Sequence, residues 1–425
     1  MPVDISKWRL EPRDLKLKYN MDDFDFKSTQ DLKPLKGIIG QERAAEALNF
    51  GLKMKAKGYN IFVAGISGTG RSSYTYSMVS KVAQTKKNNK DYVYVYNFKN
   101  PDEPKAISFQ AGEAKHFQKD MDTVVDKLYE EIPKVFTSRE YELRNNEIAQ
   151  KYERMGQNLI EELNEFAKDR GFFFQQGNQG LLTIPLKEDG SLMSDEEYNG
   201  LSEDEFARLR EKSQDLNKEV TEYMNRMRNL EQKLREKIIE LDRKTGERVI
   251  SFFFDDIVEK YSSNEKVILH INELKEDMVE HINKFKGQQK ASANPFSIQK
   301  EDPKKFFERY KVNLFIDNSD RIGAPIVNET NPTYYNLTGM MEYKNEMGFL
   351  TTSFMDIKPG ALHKANGGFL ILNVKDLFSH QFAWEGLKRS LKTNKVTIET
   401  LNKQYGYIVT ATLKPEPIDM DLKVI

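Results

Sequence analysis

The apolar positions change rhythm twice along the chain, and each rhythm predicts a different kind of element. From Leu35 to Ala111 short apolar runs alternate with helix-period stretches. These predict a helix over Gln41 to Lys57, an apolar strand Asn60-Ile61-Phe62-Val63-Ala64, a glycine-rich turn, a second helix from about Ser72, and a strand Tyr92-Val93-Tyr94-Val95-Tyr96. Strand, turn, helix, strand is the order of a parallel sheet. From about Glu113 to Tyr310 the chain is charge-dense and helical. Between Phe206 and Leu241 two heptad-spaced series interlock, Leu209, Leu216, Tyr223 and Leu230 with Val220, Met227, Leu234 and Leu241. That is a coiled-coil seam. Tyr141, Ile148 and Met155 with Tyr152, Leu159 and Phe166 repeat the alternation, so two helices are expected to pair as an antiparallel hairpin, the longer spanning roughly 50 Å. Between them Phe172-Phe173-Phe174-Gln175-Gln176 and Leu181-Leu182-Thr183-Ile184 flank a Gly-Asn-Gln-Gly turn and read as a β-hairpin. From about Val312 the α/β texture returns, with strands Val312-Asn313-Leu314-Phe315-Ile316 and Phe369-Leu370-Ile371-Leu372. Leu422-Lys423-Val424-Ile425 begins another buried strand, which leads us to expect a truncated core.

The expected organisation is therefore an N-terminal segment and first half of an α/β core over 1–112, a helical insertion over 113–310 with the hairpin near 172–186, and the second half of the core over 311–425. Composition narrows the chemistry. The 425 residues carry 65 Lys and Arg against 66 Asp and Glu, a formal charge of -1 that argues against a polyanion bound by bulk charge. Aromatic residues at 11% exclude wholesale disorder. The absence of cysteine excludes disulfides, thiolate zinc sites and cysteine nucleophiles. With no apolar run like a signal peptide in Met1 to Asn20 and no stretch of about 18 apolar residues, a cytoplasmic protein without a membrane partner is expected.

One motif carries explicit chemistry. Gly65-Ile66-Ser67-Gly68-Thr69-Gly70-Arg71-Ser72 stands between an apolar strand and a helix at the spacing of a phosphate-binding loop, G-x-x-x-x-G-K-[ST], with arginine in the lysine position. Glycines let backbone N–H groups turn inward around phosphate oxygens, and the helix N-terminus adds partial positive charge. Arginine keeps the cation but replaces a compact ammonium by a planar fork. The partner motif is an apolar strand ending in an acid, and here Phe369-Leu370-Ile371-Leu372 ends in Asn373, with Asp376 three residues on as the nearest carboxylate. Asparagine accepts a hydrogen bond without supplying charge. Asp376 reads equally as a helix N-terminal acid favoured by the dipole. His116, His270, His281, His363 and His380 are scattered without metal-ligand spacing, and no G-x-S-x-G marks a hydrolase nucleophile.

Gly37-Ile38-Ile39-Gly40-Gln41-Glu42-Arg43-Ala44 ahead of the phosphate loop resembles the entry signature of the ATPases associated with diverse activities. Together with Asn331-Pro332-Thr333-Tyr334-Tyr335-Asn336-Leu337, Ile357 to Gly368 and Phe382-Ala383-Trp384-Glu385-Gly386-Leu387-Lys388-Arg389, the pattern resembles the ATPase region of bacterial Lon-like proteases with a helical insertion inside the ATPase core. The two nucleotide motifs stand about 300 residues apart, and such an insertion accounts for the gap.

The resemblance implies a P-loop α/β core with Ile38 and Ile39 against adenine. Gly65, Ser67, Gly68, Thr69, Gly70, Arg71, Ser72 and Ser73 would lie around the phosphates, with Asn373 opposite them. ATP or ADP with Mg²⁺ would be the cofactors, hydrolysis being weak or absent because of Arg71 and Asn373. It also implies a homo-hexameric ring that feeds unfolded polypeptide to a serine-lysine protease domain, with Met347, Phe349 and Leu350 as pore-loop residues and Arg389 as an arginine finger. A buried hairpin and a surface salt bridge are the plainer readings of those last two features. The sensor residues, lid and catalytic dyad of such a family are expected beyond Ile425. Two other classes remain open from sequence: a coiled-coil ATPase that organises or repairs DNA, against which Ala365-Asn366-Gly367-Gly368 lacks the expected serine, and a non-enzymatic scaffold.

Overall fold

The structure, a computed structural model, describes residues 9–33, 41–56, 58–66, 68–86, 89–177, 180–187, 189–286, 303–346, 349–401 and 413–425. Helices α1 (Glu42–Lys53) and α2 (Arg71–Thr85) precede strands β1 (Lys90–Val95) and β2 (Lys105–Gln110), then α3 (Glu113–Phe136) and α4 (Arg139–Lys168). The hairpin β3 (Phe172–Gly177) and β4 (Gly180–Pro185) leads through α5 (Asp195–Asn199) into α6 (Glu203–Lys260), followed by α7 (Glu265–Glu280), α8 (Ile282–Phe285) and α9 (Pro303–Phe307). Next come β5 (Val312–Ile316), β6 (Ile326–Glu329), α10 (Tyr334–Thr338), β7 (Met340–Met341), β8 (Lys344–Glu346), β9 (Phe349–Thr351) and β10 (Ile357–Lys358). The chain then runs through α11 (Ala361–Lys364), β11 (Phe369–Leu372), α12 (Val374–Ser379), α13 (Ala383–Thr393), β12 (Lys395–Val396), β13 (Ile418–Asp419) and β14 (Lys423–Val424).

The alternating tyrosines and valines of β1 do not join the parallel sheet that the order of elements predicts. β1 is the middle strand of an antiparallel sheet, β2-β1-β5, with Val93 opposite Ile107 on one side and Leu314 on the other. Both faces of this strand are covered. Val93 and Val95 pack with Phe117, Met121 and Ile271 of α3 and α7, while Tyr94 turns the other way, edge-on to Phe315 at 4.9 Å and against Met341 and Ile357. A strand buried on two faces is apolar throughout, as a parallel strand is, so its sequence leaves the partner undetermined.

The parallel sheet has the order β14-β11-β6. The Asn60–Ala64 segment, expected as its first strand, runs beside β14 without forming one. Ile61 N–H donates to the Val424 carbonyl at 3.0 Å, but Val424 N–H donates to the Asn60 side-chain oxygen at 3.0 Å, so a side chain replaces the backbone acceptor and the ladder stops. Ile61 still packs inward with Leu48, Leu52, Val79, Phe369 and Ile371, the layer between this sheet and α1 and α2.

α4 and α6 pack antiparallel, as the two apolar series require. Gly156 of α4 faces Met227 and Leu230 of α6, and Tyr141 donates to Asp242 at 2.6 Å. The hairpin closes the far end. Asn164 on α4 clasps its strand from both sides, donating to the Phe174 carbonyl at 2.9 Å and accepting from Phe174 N–H at 2.6 Å, with Leu163, Phe172, Phe174, Leu216 and Tyr223 as the local core. α6 is 58 residues long, about 87 Å at 1.5 Å per residue, well beyond the expected 50 Å. Past Leu241 its apolar face changes partner: Ile250, Phe254 and Ile257 pack with the α3 and α7 side chains.

Candidate nucleotide-binding site

The direction of α2 fixes where the glycine turn lies. At the C-terminal end of α2 the Ala83 carbonyl accepts from Ala324 N–H at 2.9 Å, just before β6, and Lys86 sits 4.5 Å from the ring centroid of Phe369, the first residue of β11. Burial there lowers the Lys86 pKa, with Asp421 opposing and Lys55 adding to the effect. The starts of the strands therefore meet the end of α2. Its N-terminus, about 21 Å away, lies at the strands' C-terminal ends, where Leu372 passes into Asn373. In open α/β sheets that end is where ligands bind.

The turn is built for close approach of an anion. Gly68 and Gly70 have φ of +87° and +76°, the left-handed region that costs an L-residue roughly 1 kcal/mol or more and glycine almost nothing. Gly70 is the N-cap of α2, so no side chain occupies the cap, and the first turn holds no acid. The first N–H groups of a helix lack intrahelical partners, and here their surroundings carry Arg71, Ser72 and Ser73, all exposed. Thr69 Oγ1 donates to the Ile66 carbonyl at 2.8 Å, and Arg71 Nη1 donates to the Gly65 carbonyl at 2.7 Å, so these two side chains brace the turn from within. Ile38, Ile39 and Ser67 lie outside the described residues.

Across the sheet, Asn373 has a structural task. It is the N-cap of α12, its side-chain oxygen accepting from Lys375 N–H at 3.0 Å, and Asp376 stands in the first turn of that short helix. Arg389 on α13 pairs with Glu399 at 2.9 Å, both about half exposed, which is the salt bridge that the plainer reading anticipates. In the expected pore segment β8 and β9 pair as a hairpin, with Glu346 opposite Phe349, and Leu350 is 51% exposed rather than buried. Met347 lies outside the described residues.

Residues that the sequence reading did not single out tie this sheet to the antiparallel one. Tyr92 and Tyr94 reach across from β1: the Asn366 amide donates to Tyr92 Oη at 3.1 Å, and Tyr94 Oη donates to the Glu416 carbonyl at 2.9 Å. The Glu416 carboxylate accepts from Ala106 N–H at 2.9 Å and pairs with Lys266 at 2.8 Å. Burial beside Asp419 and Asp421 pushes the Tyr92 phenol up to about 12, so it stays neutral as a hydrogen-bond partner. Only the tyrosine alternation in β1 hinted at this role.

Residues 322–425, which hold the whole parallel sheet, match the family model of the LonB-like AAA domain. Residues 91–124, which hold β1, β2 and the first half of α3, match that of the Lon-like LonC helical domain. Together these support a Lon-like protease family. No curated protein matches the chain. The two matches fall on different sheets, β1 and β2 of the antiparallel sheet in one and β6, β11 and β14 in the other. Among the described residues no helix is long and apolar enough to cross a membrane.

Proposed function

We propose that the chain is the nucleotide-binding and substrate-handling region of a Lon-like protease, in which a phosphate group is held at Gly65–Ser72 and hydrolysis is weak or absent. The observation that carries this reading is the uncapped N-terminus of α2, entered through two left-handed glycines at the C-terminal end of a parallel sheet. The residues present fit an ADP or ATP phosphate. A Cβ at Gly68 would meet nothing within 4 Å, so the turn has open space, and only one guanidinium donor of Arg71 is used within the turn. They fit a hydrolytic Mg²⁺ centre poorly. Asn373 brings an amide whose oxygen already caps α12, and a neutral amide neither balances a divalent charge nor orients water as a carboxylate does.

In this reading the subunits form a homo-hexameric ring that admits unfolded polypeptide. Phe349 and Leu350, with Met347, line the passage, and Arg389 leaves Glu399 to approach a neighbouring nucleotide. The ring acts as a gate more than as a motor.

Calorimetric titration of ADP and of a non-hydrolysable ATP analogue, with and without Mg²⁺, tests the pocket. Gly68→Asp is expected to weaken binding at least about tenfold by placing a carboxylate where phosphate charge belongs, its Cβ meeting nothing within 4 Å and its positive φ adding roughly 1 kcal/mol of strain confined to this exposed turn. No binding by the folded wild-type chain would defeat the nucleotide part of the proposal. Arg71→Lys combined with Asn373→Asp is expected to raise ATP turnover in the assembled ring, since aspartate keeps the α12 cap. Unchanged turnover would show that other positions limit hydrolysis.

A further inference from the structure

Residues 9–33 form an arm whose hydrogen bonds, ion pair and ring contacts all fall within the arm itself among the described residues. Every residue in it is exposed except Phe26, which is partly covered, and its hydrogen bonds are local: Glu11 N–H to Asp14 at 3.0 Å, Asn20 N–H to Asp23 at 3.3 Å and Ser28 N–H to Asp31 at 3.1 Å. Yet the arm is not polar. Leu15, Leu17, Tyr19 and Met21 are 72%, 84%, 68% and 82% exposed, and they alternate strictly with Lys16, Lys18 and Asn20. Period-two alternation over seven residues is the pattern of a strand with one buried face. Here that strand has neither a ladder nor a face to cover.

The same chain offers an acceptor. Among the described residues β6 ends the parallel sheet and pairs with β11, so its outer edge has no strand beside it. Just before it Ile322 is 91% exposed. Glu329 on β6 and Asp320 upstream carry the charge opposite to that of Lys16 and Lys18.

We infer that Leu15–Met21 adds as an edge strand to β6 of a second copy of this chain. Main-chain hydrogen bonds supply the attachment, the apolar side chains cover the surface around Ile322, and the lysines meet the acidic residues of the edge. The arm and its acceptor are different surfaces of one chain, so each copy gives a strand and receives one. Such a contact is head-to-tail and propagates until a ring closes. The inference does not depend on nucleotide binding.

The test uses the absence of native cysteine. Two single-cysteine chains, Leu17→Cys and Asn328→Cys, are mixed and treated with a short bis-maleimide. Asn328 is an exposed β6 residue. A covalent dimer containing one of each is expected, and its loss on pre-incubation with excess unlabelled chain would confirm that the contact exchanges. In parallel, Leu15→Asp with Leu17→Asp and Tyr19→Asp is expected to lower the association constant at least about tenfold by light scattering, with a nearly unchanged melting temperature because Leu15, Leu17 and Tyr19 are exposed and the one ring contact among them, Tyr19 with Phe24, stays within the arm. A wild-type chain that is monomeric at about 50 μM, an unaffected triple variant, or the absence of a covalent dimer containing one of each single-cysteine chain would each overturn the inference.

Discussion

Replacing Gly368 with alanine is expected to destabilise the parallel sheet by about 3 kcal/mol or more, among the largest effects of any single methyl group in the molecule. A Cβ there would lie 2.0 Å from the Pro325 carbonyl oxygen and 2.9 Å from its carbon. That oxygen accepts from Phe369 N–H at 2.8 Å, where β6 and β11 begin to pair, and the Gly368 carbonyl accepts from Lys423 N–H at 3.0 Å on the β14 side. All three strands meet at this residue. The obstacle is backbone held in a ladder, not the far end of a flexible side chain, so relief requires moving β6 away from β11. Gly156→Ala is the contrasting case. Its Cβ would meet Met227 and Leu230 at ordinary contact distances of 3.7 and 3.8 Å within α4, so a gain of roughly 0.5–1 kcal/mol is expected from helix propensity. Urea unfolding of the two variants should move in opposite directions. A Gly368→Ala chain within about 1 kcal/mol of the wild type would show that the packing of the sheet differs from that described.

Local rhythm made β11, β5, the β3–β4 hairpin and the start of α2 legible, because each is a bounded apolar run or a capped periodic stretch. Pairing was less legible. Nothing in Tyr92-Val93-Tyr94 specifies that Tyr92 lies opposite Ile316, since a doubly buried strand has no face pattern to fix its sheet. The interruption at Asn60 depends on one side-chain oxygen taking a backbone proton, a choice made only once β14 is alongside. At the site, Gly68, Gly70 and Arg71 follow directly from spacing, whereas the capping task of Asn373 becomes visible only with α12 in place. The contacts of Tyr92, Tyr94, Asn366 and Glu416 join distant segments, and they give the helical part a mechanical connection to the loop that feeds β11.

Acidification from pH 7.5 to 5.5 is expected to remove about 3 kcal/mol of stability through two histidines alone. His270 and His363 are 1% and 2% exposed. His270 stacks on Phe98 at 5.8 Å, and neither ring nitrogen has a hydrogen-bond partner among the described residues. His363 Nδ1 accepts from Gly360 N–H at 3.3 Å, which leaves its proton on Nε2, where no partner stands among the described residues. Burial holds His270 down to about 4, with Glu273 opposing and Lys105 adding, and holds His363 down to about 3, with Lys364 adding. Both folded values lie below the unfolded value of about 6.5, so unfolding takes up protons once the pH falls under 6.5. Their contribution is complete above that pH and is lost at about 1.4 kcal/mol per unit for each as the pH falls, until the folded rings themselves protonate. Glu197 and Glu240, depressed to about 2, lose theirs as the pH falls through the ordinary carboxylate range, below the interval in which the histidines act, whereas Asp91 and Asp122, raised by burial, work in the opposite sense as the pH falls. Urea unfolding across that interval should therefore show a steep fall in the wild type and about half the slope in His270→Phe, whose ring keeps the stacking on Phe98 without a proton to gain. A flat wild-type profile would mean that these imidazoles are not held neutral in the core.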